Sequence, residues 1–356
     1  MTKKVVIMLL VVAMILVVAT VPGCKKTAPK QPAEKKLKVT LYINGTLGDK
    51  GFFDSAERGL KMAISNLDID GKTVEGGVDP SKWEPDLEQL SQGDSDIIIV
   101  GTWQMTDALT KIAPKYPDKK YIIFDSSVDY SKGNLGNVYS MLYKQNEGSF
   151  LVGALAAMVT SSKTPLANKE KIIGFVGGMD IPVINDFKVG YIQGVHFIDP
   201  NVKVLVSYAG TFTDPAKGKE LALAQYDQGA DVVFNVAGQT GLGVLAAAKE
   251  ANRYSIGVDS DQYILVKDND PEEASHVITS MMKNVDNSIY RALKLYKEGT
   301  LKFGAAESLG IKEGGVGVAD NENYEKIVPK EFRDKVKELE TKIINGEIKV
   351  DTAFGG

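Results

Sequence analysis

The sequence has little of the chemistry that enzymes and metal sites use most. Its 356 residues include one cysteine, Cys24, and two histidines, His196 and His276. So few ligands exclude an ordinary zinc cluster, and one cysteine excludes a disulfide within the chain. No motif surrounds either histidine, and no Gly-x-Ser-x-Gly elbow occurs. We therefore expect no metal, no cofactor and no catalytic residue, and interpret the protein as a non-enzyme.

Arginine is also scarce. The chain has four arginines, and none lies in the loops that directly follow its apolar runs. A ligand with a phosphate or carboxylate group would therefore lack the guanidinium clamp that usually binds such anions. The formal net charge is −4 with mixed signs, so nothing indicates a nucleic-acid surface. These shortages favour a neutral ligand.

The N-terminus has the one long uncharged apolar run. Two lysines precede residues 5–21, and a proline, a glycine and Cys24 follow. This order is typical of a secretory signal over residues 1–23. The alternative is a transmembrane anchor, although the run is slightly shorter than the roughly 20 residues that span a bilayer. Residues 24–36, rich in lysine, proline, alanine and glutamine, indicate a flexible tether.

After the tether, apolar runs alternate with helical patterns in two successive series. Residues 39–43 read as a strand, followed by a glycine-bearing loop and a helix with Asp54 as its expected N-cap. Such alternation predicts an α/β protein with two lobes, each a parallel sheet flanked by helices. Further strands are predicted at 96–101, 121–125, 137–142, 171–176, 204–208, 231–236, 255–258 and 277–281. We assign 37–143 with 283–318 to lobe one, 144–282 to lobe two, and 319–356 to a C-terminal helical tail.

Two of the strand-to-helix loops are alike. Each has an aromatic residue two positions before an aspartate, Phe52 before Asp54 and Phe212 before Asp214. One interpretation is ordinary capping chemistry at two similar turns. The other is a pair of lobes that face each other, each offering one ring to a shared cleft. Open parallel sheets bind ligands beyond the carboxyl ends of their strands, which also places Phe53 at the cleft.

Two enzyme classes compete with a binding function. The stretch from Gly238 to Gly243 follows a strand and opens a helix, and Asp259 comes 18 residues after Gly241, as in dinucleotide-binding folds. However, the glycine spacing is GxxGxG rather than GxGxxG. Asp125 and Asp259, with Asp49, could also form an acid/base pair for glycoside cleavage. All three lie at or just beyond strand ends, where a binding protein also needs acceptors, so catalysis is the less favoured interpretation.

Seven stretches, by their order and spacing, resemble the basic-membrane-protein family of substrate-binding lipoproteins. The resemblance is to its purine-nucleoside receptors for ABC importers, and it covers nearly the whole chain from Leu37 onward. It implies a two-lobed type I periplasmic-binding-protein fold with the ligand in the interlobe cleft, no cofactor, and lipid on Cys24. The stretches are 48–52 (GDKGF), 147–157 (EGSFLVGALAA), 174–178 (GFVGG), 214–218 (DPAKG), 237–243 (AGQTGLG), 256–262 (IGVDSDQ) and 279–283 (TSMMK).

The resemblance also implies roles for individual residues. The two phenylalanines would sandwich the purine, and Phe53 stands where the family usually has asparagine. Trp103 either lines the cleft or packs in the fold. The implied ligand-binding residues are Phe52 and Phe212 on the base, Asp125 as acceptor for the base, Asp259 and Lys283 on the ribose hydroxyls, Gly238 near the sugar, and Asp49 in the polar wall.

We therefore expect a monomeric, lipid-anchored receptor on the outer face of the cytoplasmic membrane. It would capture a purine nucleoside (guanosine, inosine or adenosine) and deliver it to an ABC transporter permease. Two alternatives remain open: the same fold binding a sugar or another neutral signal, and a surface ligand sensor rather than an importer component.

Overall fold

The computed structural model describes residues 36–354. The predicted signal peptide, Cys24 and nearly all of the predicted tether lie outside these residues. Within them, no helix is both long enough and apolar enough to cross a bilayer.

Twelve strands form two six-stranded sheets in the described part of the chain. The first sheet has the order β11-β5-β4-β3-β1-β2, and the second has the order β12-β10-β9-β8-β6-β7. All neighbouring pairs are parallel except β10 and β12. The predicted α/β class with two parallel sheets is therefore confirmed. The strands are β1 Leu37–Ile43, β2 Ile69–Glu75, β3 Ile97–Gly101, β4 Lys120–Phe124, β5 Val138–Tyr143, β6 Ile172–Gly177, β7 Lys203–Tyr208, β8 Ala230–Val236, β9 Tyr254–Asp259, β10 Val277–Lys283, β11 Ala305–Leu309 and β12 Val316–Val318.

Helices connect these strands and flank both sheets, as predicted. The C-terminal part after the last strand is helical. In chain order the helices are α1 Phe52–Leu67, α2 Pro80–Gln92, α3 Thr106–Ile112, α4 Gln145–Thr160, α5 Pro182–Ile198, α6 Pro215–Asp227, α7 Gln239–Ala251, α8 Gln262–Val266, α9 Pro271–Ser275, α10 Val285–Lys297, α11 Glu322–Ile327 and α12 Lys330–Ile344.

Central strands are easier to recognise in the sequence than edge strands. Every residue of β3 and β8 is buried, because helices cover both faces of a parallel sheet. At the edges, β2 and β7 are largely half-buried or exposed. The sequence of β2, IDGKTVE, therefore has no apolar run, and this strand was missed from the pattern.

Helices α4 and α5 pack with their backbones in close contact. A Cβ atom at Gly153 would lie 2.2 Å from the carbonyl oxygen of Tyr191, and one at Gly190 would lie 2.1 Å from that of Asn146. Only glycine permits such an approach. The glycines of α4 and α5 thus allow the two helices to pack closely.

The chain passes between the two sheets three times within residues 36–354, after β5, after β10 and between β11 and β12. After the second passage α10 packs on α1, where a Cβ at Gly59 would lie 2.5 Å from the carbonyl oxygen of Asp286. The lobe boundaries stay a prediction. However, Val316–Val318 pairs with β10 in the second sheet, not with lobe one as expected. A three-residue strand is too short to carry a pattern that would reveal its partner.

Candidate ligand-binding site

A cavity of about 310 Å³ lies where the carboxyl ends of the two sheets face each other. Open parallel sheets bind ligands at this edge, and the volume is in the range of small-molecule sites. Its walls come from loops that follow strands of both sheets. Every residue that the sequence singled out for ligand binding lines it: Asp49, Phe52, Asp125, Phe212, Gly238, Asp259 and Lys283, together with Phe53 and Trp103.

Lys283 is a buried cation at this cavity. It ends β10, and only 2% of the residue is exposed. Its Nζ donates a hydrogen bond to Oδ1 of Asp125. The same Nζ lies 4.9 to 5.5 Å from the ring centres of Phe52, Tyr143 and Phe187. A cation over an aromatic face is attracted by the ring quadrupole, so the rings and the carboxylate together hold the ammonium group in place.

Asp125 and Asp259 lie at the ends of β4 and β9. Both have a positive φ, 61° and 64°, which is uncommon outside glycine and recurs at functional sites. Burial raises the pKa of Asp125, and the nearby Lys283 opposes that rise. Burial also raises the pKa of Asp259, to about 7; Lys283 opposes this shift, whereas Asp49 and Asp125 add to it. Within residues 36–354, the Asp259 carboxylate accepts no hydrogen bond.

Asp49 caps the helix that carries the first ring. Its carboxylate accepts hydrogen bonds from the backbone N–H groups of Gly51, Phe53 and Asp54, at 2.8 to 3.1 Å. These three bonds lower its pKa, but burial outweighs them and raises it overall. Helix α1 begins at Phe52, so the expectation that Asp54 is the N-cap is wrong. Asp54 lies in the first turn instead and accepts from two N–H groups of the preceding loop.

The two rings singled out by the sequence reach the cavity from different elements. Phe52 is the first residue of α1, and its ring centre lies 5.3 Å from that of Phe124 and 5.2 Å from that of Phe53. Phe212 follows β7 and is half-buried. Its ring packs against Gly178, where a Cβ would lie 2.3 Å from the ring. Both rings keep part of their surface available to the cavity.

Sequence analysis missed several residues of the cavity wall. Asn44 and Thr102 directly follow β1 and β3, so the strand-end rule that directed attention to Asp125 would also have found them. Thr102 has φ of 69°, another uncommon conformation at this edge. The remaining missed residues include Gln104, Met179, Ile181, Ile184, Phe187 and Gln239.

Hydrogen bonds join the loop before α1 to the second sheet. Ser260 Oγ donates to the carbonyl oxygen of Gly51 at 3.1 Å, and Arg58 Nη2 donates to Ser260 Oγ at 2.7 Å. Farther along, Lys50 Nζ donates to the carbonyl oxygen of Leu265 at 2.9 Å. These contacts hold the two sides of the cavity close together. In the described part of the chain, no cluster of three or more His, Cys, Asp and Glu residues is placed to hold a metal ion.

The chain is similar to known proteins in both sequence and structure. Residues 36–353 match the family model described as ABC transporter substrate-binding protein PnrA-like. The chain is 31% identical over 352 residues to the ABC transporter nucleoside-binding protein BmpA of Lactococcus lactis, covering 94% of this chain and 95% of that protein. It is 33% identical over 319 residues to basic membrane protein A of Borreliella burgdorferi, covering 87% of this chain and 86% of the relative.

Among solved structures, an ABC transporter solute-binding protein from Aeropyrum pernix superposes with a TM-score of 0.79 at 31% identity. The match covers 89% of this chain and 93% of that one. These matches confirm the expected periplasmic-binding-protein architecture and a substrate-binding rather than an enzymatic protein. The chain belongs to the PnrA-like family of ABC transporter substrate-binding proteins.

Proposed function

We propose that this protein captures a purine nucleoside outside the cytoplasmic membrane and delivers it to the permease of an ABC importer. The observation that carries the proposal is the composition of one cavity. Two half-buried rings, Phe52 and Phe212, face the same space as three aspartates and one buried lysine. A nucleoside has the two matching parts, a flat π-surface and a polyol. The name of the Lactococcus lactis relative, a nucleoside-binding protein, supports this assignment.

The rings would hold the base. Base–aromatic stacking contributes about 1–3 kcal/mol per base and requires only that the ring faces are accessible. Phe52 comes from the first sheet's side and Phe212 from the second sheet's side, so a base between them contacts both. Such a ligand favours the arrangement in which the two sides are close, because only that arrangement makes both contacts.

The charged cluster would hold the ribose. Asp259 is buried, and its carboxylate lacks a hydrogen-bond donor among residues 36–354, so sugar hydroxyls that donate to it would relieve a desolvated acceptor. Hydrogen bonds to charged groups contribute roughly 1.5–3 kcal/mol each. Lys283 would donate from the other side to a hydroxyl oxygen.

Asp125 would accept from the base. One of its oxygens already accepts from Lys283, which leaves the second for the ligand. An ionised carboxylate accepts but does not donate, so it suits the N1–H group of guanine or hypoxanthine. Asp49 and Gly238 would complete the wall.

The residues around the cavity favour a neutral ligand over a charged one. No arginine is among the described residues that line it, and its single lysine is already paired with Asp125. A nucleotide would bring two or more negative charges next to three aspartates. A sugar is the second candidate, because sugars also stack on aromatic rings, but a sugar has no N–H group to offer Asp125.

The test is to identify the ligand that the protein carries. The full-length protein is purified without added ligand and denatured, and the released small molecules are analysed by mass spectrometry. We expect a purine nucleoside in a proportion close to one per protein. Release of a pentose or hexose with no base would replace the nucleoside by the sugar. If nothing is released, calorimetric titration with guanosine, inosine, adenosine and ribose makes the same distinction.

We also propose that lipid on Cys24 anchors the protein. We expect Cys24→Ser to fold and bind ligand like the wild type, because the fold contains no other cysteine, but to leave the membrane fraction. Fractionation of cells and the intact mass of the extracted protein measure this. A membrane-bound wild type that still carries residues 1–23 and no lipid would indicate a transmembrane anchor instead.

A further inference from the structure

One buried amide at the cavity has an acceptor that the fold leaves without a partner. Asn44 is 5% exposed, and its Oδ1 accepts no hydrogen bond from the described residues. Other buried side-chain atoms without partners exist between residues 36 and 354. Asn44 Oδ1 is the one of them that belongs to a residue of the cavity wall. A desolvated carbonyl oxygen next to a binding cavity points to a donor on the ligand.

The orientation of this amide is fixed by its neighbours. Asn44 Nδ2 donates to Thr102 Oγ1 at 2.9 Å and to Gln104 Oε1 at 3.3 Å. Gln104 Oε1 can only accept, so the nitrogen of Asn44 faces it and Oδ1 is left without a donor among the described residues. The unpaired atom of this buried side chain is therefore an acceptor and not a donor.

The strand register places this acceptor relative to Asp125. Leu41 pairs with Ile99, and Gly101 pairs with Phe124, so the residues that directly follow β1, β3 and β4 lie level with one another. These residues are Asn44, Thr102 and Asp125. Neighbouring strands are about 4.8 Å apart, which puts the backbones of Asn44 and Asp125 about 10 Å apart with Thr102 between them. This spacing would let the two acceptors meet different atoms of one flat ligand.

We infer that Asn44 Oδ1 accepts a hydrogen bond from an exocyclic amino group of the purine. The inference rests on the proposed function and assigns to that site a residue that distinguishes between bases. In guanine, Asp125 accepts from the ring N–H group and Asn44 takes the second donor, the amino group. Adenine in a nucleoside has no ring N–H group, so its amino group is the donor that Asn44 takes. Purines without the amino group leave this buried oxygen unpaired and bind more weakly, because an unpaired buried acceptor keeps its desolvation cost.

Two ligand pairs test the inference by calorimetry, since each pair differs only in one amino group. Adenosine is compared with purine riboside, and guanosine is compared with inosine. In the wild type we expect the aminated member of at least one pair to bind roughly tenfold more tightly. Asn44→Leu should weaken that member to the level of its partner and leave the partner's affinity unchanged. Asn44→Asp keeps an acceptor oxygen and should keep the preference.

A second cavity amide serves as the matched control. Gln239 also lines the cavity, and its Nε2 donates to Thr46 Oγ1 at 3.2 Å. Gln239→Leu should change the affinities of both members of a pair equally and leave the preference intact. Continued binding of the ligand without the amino group shows that each variant is folded; if Asn44→Leu does not fold, Asn44→Ala, which also lacks an acceptor, takes its place.

Three results would overturn the inference while leaving the proposed function in place. These are a wild type with no preference in either pair, a preference that survives Asn44→Leu or Asn44→Ala, and a preference that Gln239→Leu also removes. If the wild type binds none of the four nucleosides, the proposed function itself fails, and the inference fails with it.

Discussion

Replacing Lys283 by methionine should lower the free energy of unfolding by about 3–5 kcal/mol near pH 8, the largest effect that we expect from one substitution. Lys283 is buried, pairs with Asp125, and lowers the pKa of both Asp125 and Asp259. Methionine fills the space among the rings but leaves two buried carboxylates without their counter-charge. Chemical denaturation of the ligand-free protein measures the loss.

The loss should depend on pH in a defined direction. Without Lys283, the pKa values of Asp125 and Asp259 rise further above the unfolded value of roughly 3.9. The folded state then binds more protons than the unfolded state between the unfolded and folded pKa values, so stability falls as pH rises through that window. The difference from the wild type should therefore be greatest above the raised pKa values and should shrink as the pH falls toward roughly 4.

Two further variants test whether the loss of stability comes from the buried charge of Lys283. Asp125→Asn combined with Lys283→Met removes both partners and should recover part of the stability, because only the uncompensated charge is costly. Lys188 also lies over a ring, with Nζ 5.4 Å from the ring centre of Tyr208 and donating to its hydroxyl. The change in unfolding free energy caused by Lys188→Met should be the same across this pH range. A loss for Lys283→Met that is the same near pH 5 and pH 8 would contradict the role of Lys283.

Phe212→Ala should weaken nucleoside binding by about 1–3 kcal/mol, roughly 5- to 150-fold in Kd, with little change in stability. The ring is half-buried, packs on Gly178 and lines the cavity. A phenylalanine that served only the core would instead cost about 3–5 kcal/mol of stability on truncation. Measuring this one variant by both ligand titration and denaturant melt distinguishes a stacking role of Phe212 from a role in the core.

The ligand must be removed before the melt, because a bound nucleoside adds apparent stability by mass action. Phe197 provides the matched control. It is 51% exposed on α5, outside the cavity wall, so Phe197→Ala should leave the affinity unchanged. A Phe212→Ala protein that melts early but binds with the affinity of the wild type would contradict stacking on this ring.

Much of the cavity was predictable because its residues lie at strand ends and helix starts, which short stretches of sequence indicate. Asp125 and Asp259 end apolar runs that could only be central strands, and the carboxyl ends of parallel strands share one edge of a sheet. Phe212 precedes Asp214, which caps α6 by accepting from the N–H of Lys217 at 3.0 Å. The N-cap pattern of α6 therefore predicted that the Phe212 ring lies next to the start of a helix.

Other features depended on contacts that neither the apolar periodicity nor the capping pattern shows. Asp54 has the spacing of an N-cap, but the helix begins two residues earlier, and the three N–H groups nearby bond to Asp49. Strand β2 is polar because it lies at an edge, so its membership in the first sheet depends on its pairing with β1. In the first case a neighbouring carboxylate binds the N–H groups at the start of the helix, and in the second only pairing across the sheet identifies the strand.

The sequence by itself determined the α/β class, the two parallel sheets and the edge at which the ligand would lie, because hydrophobic periodicity and strand-end position are local properties. Only the tertiary structure decided how the charges of that edge pair. Lys283 and Asp125 are 158 residues apart, yet they form one buried ion pair. Burial raises the pKa of Asp259, Lys283 opposes that rise, and Asp49 and Asp125 add to it. Likewise, only folding brings the amide nitrogen of Asn44 to Thr102 and Gln104 and leaves its oxygen without a partner among the described residues. Desolvation and charge pairing depend on distances across the fold, and these distances are not properties of any single stretch of chain.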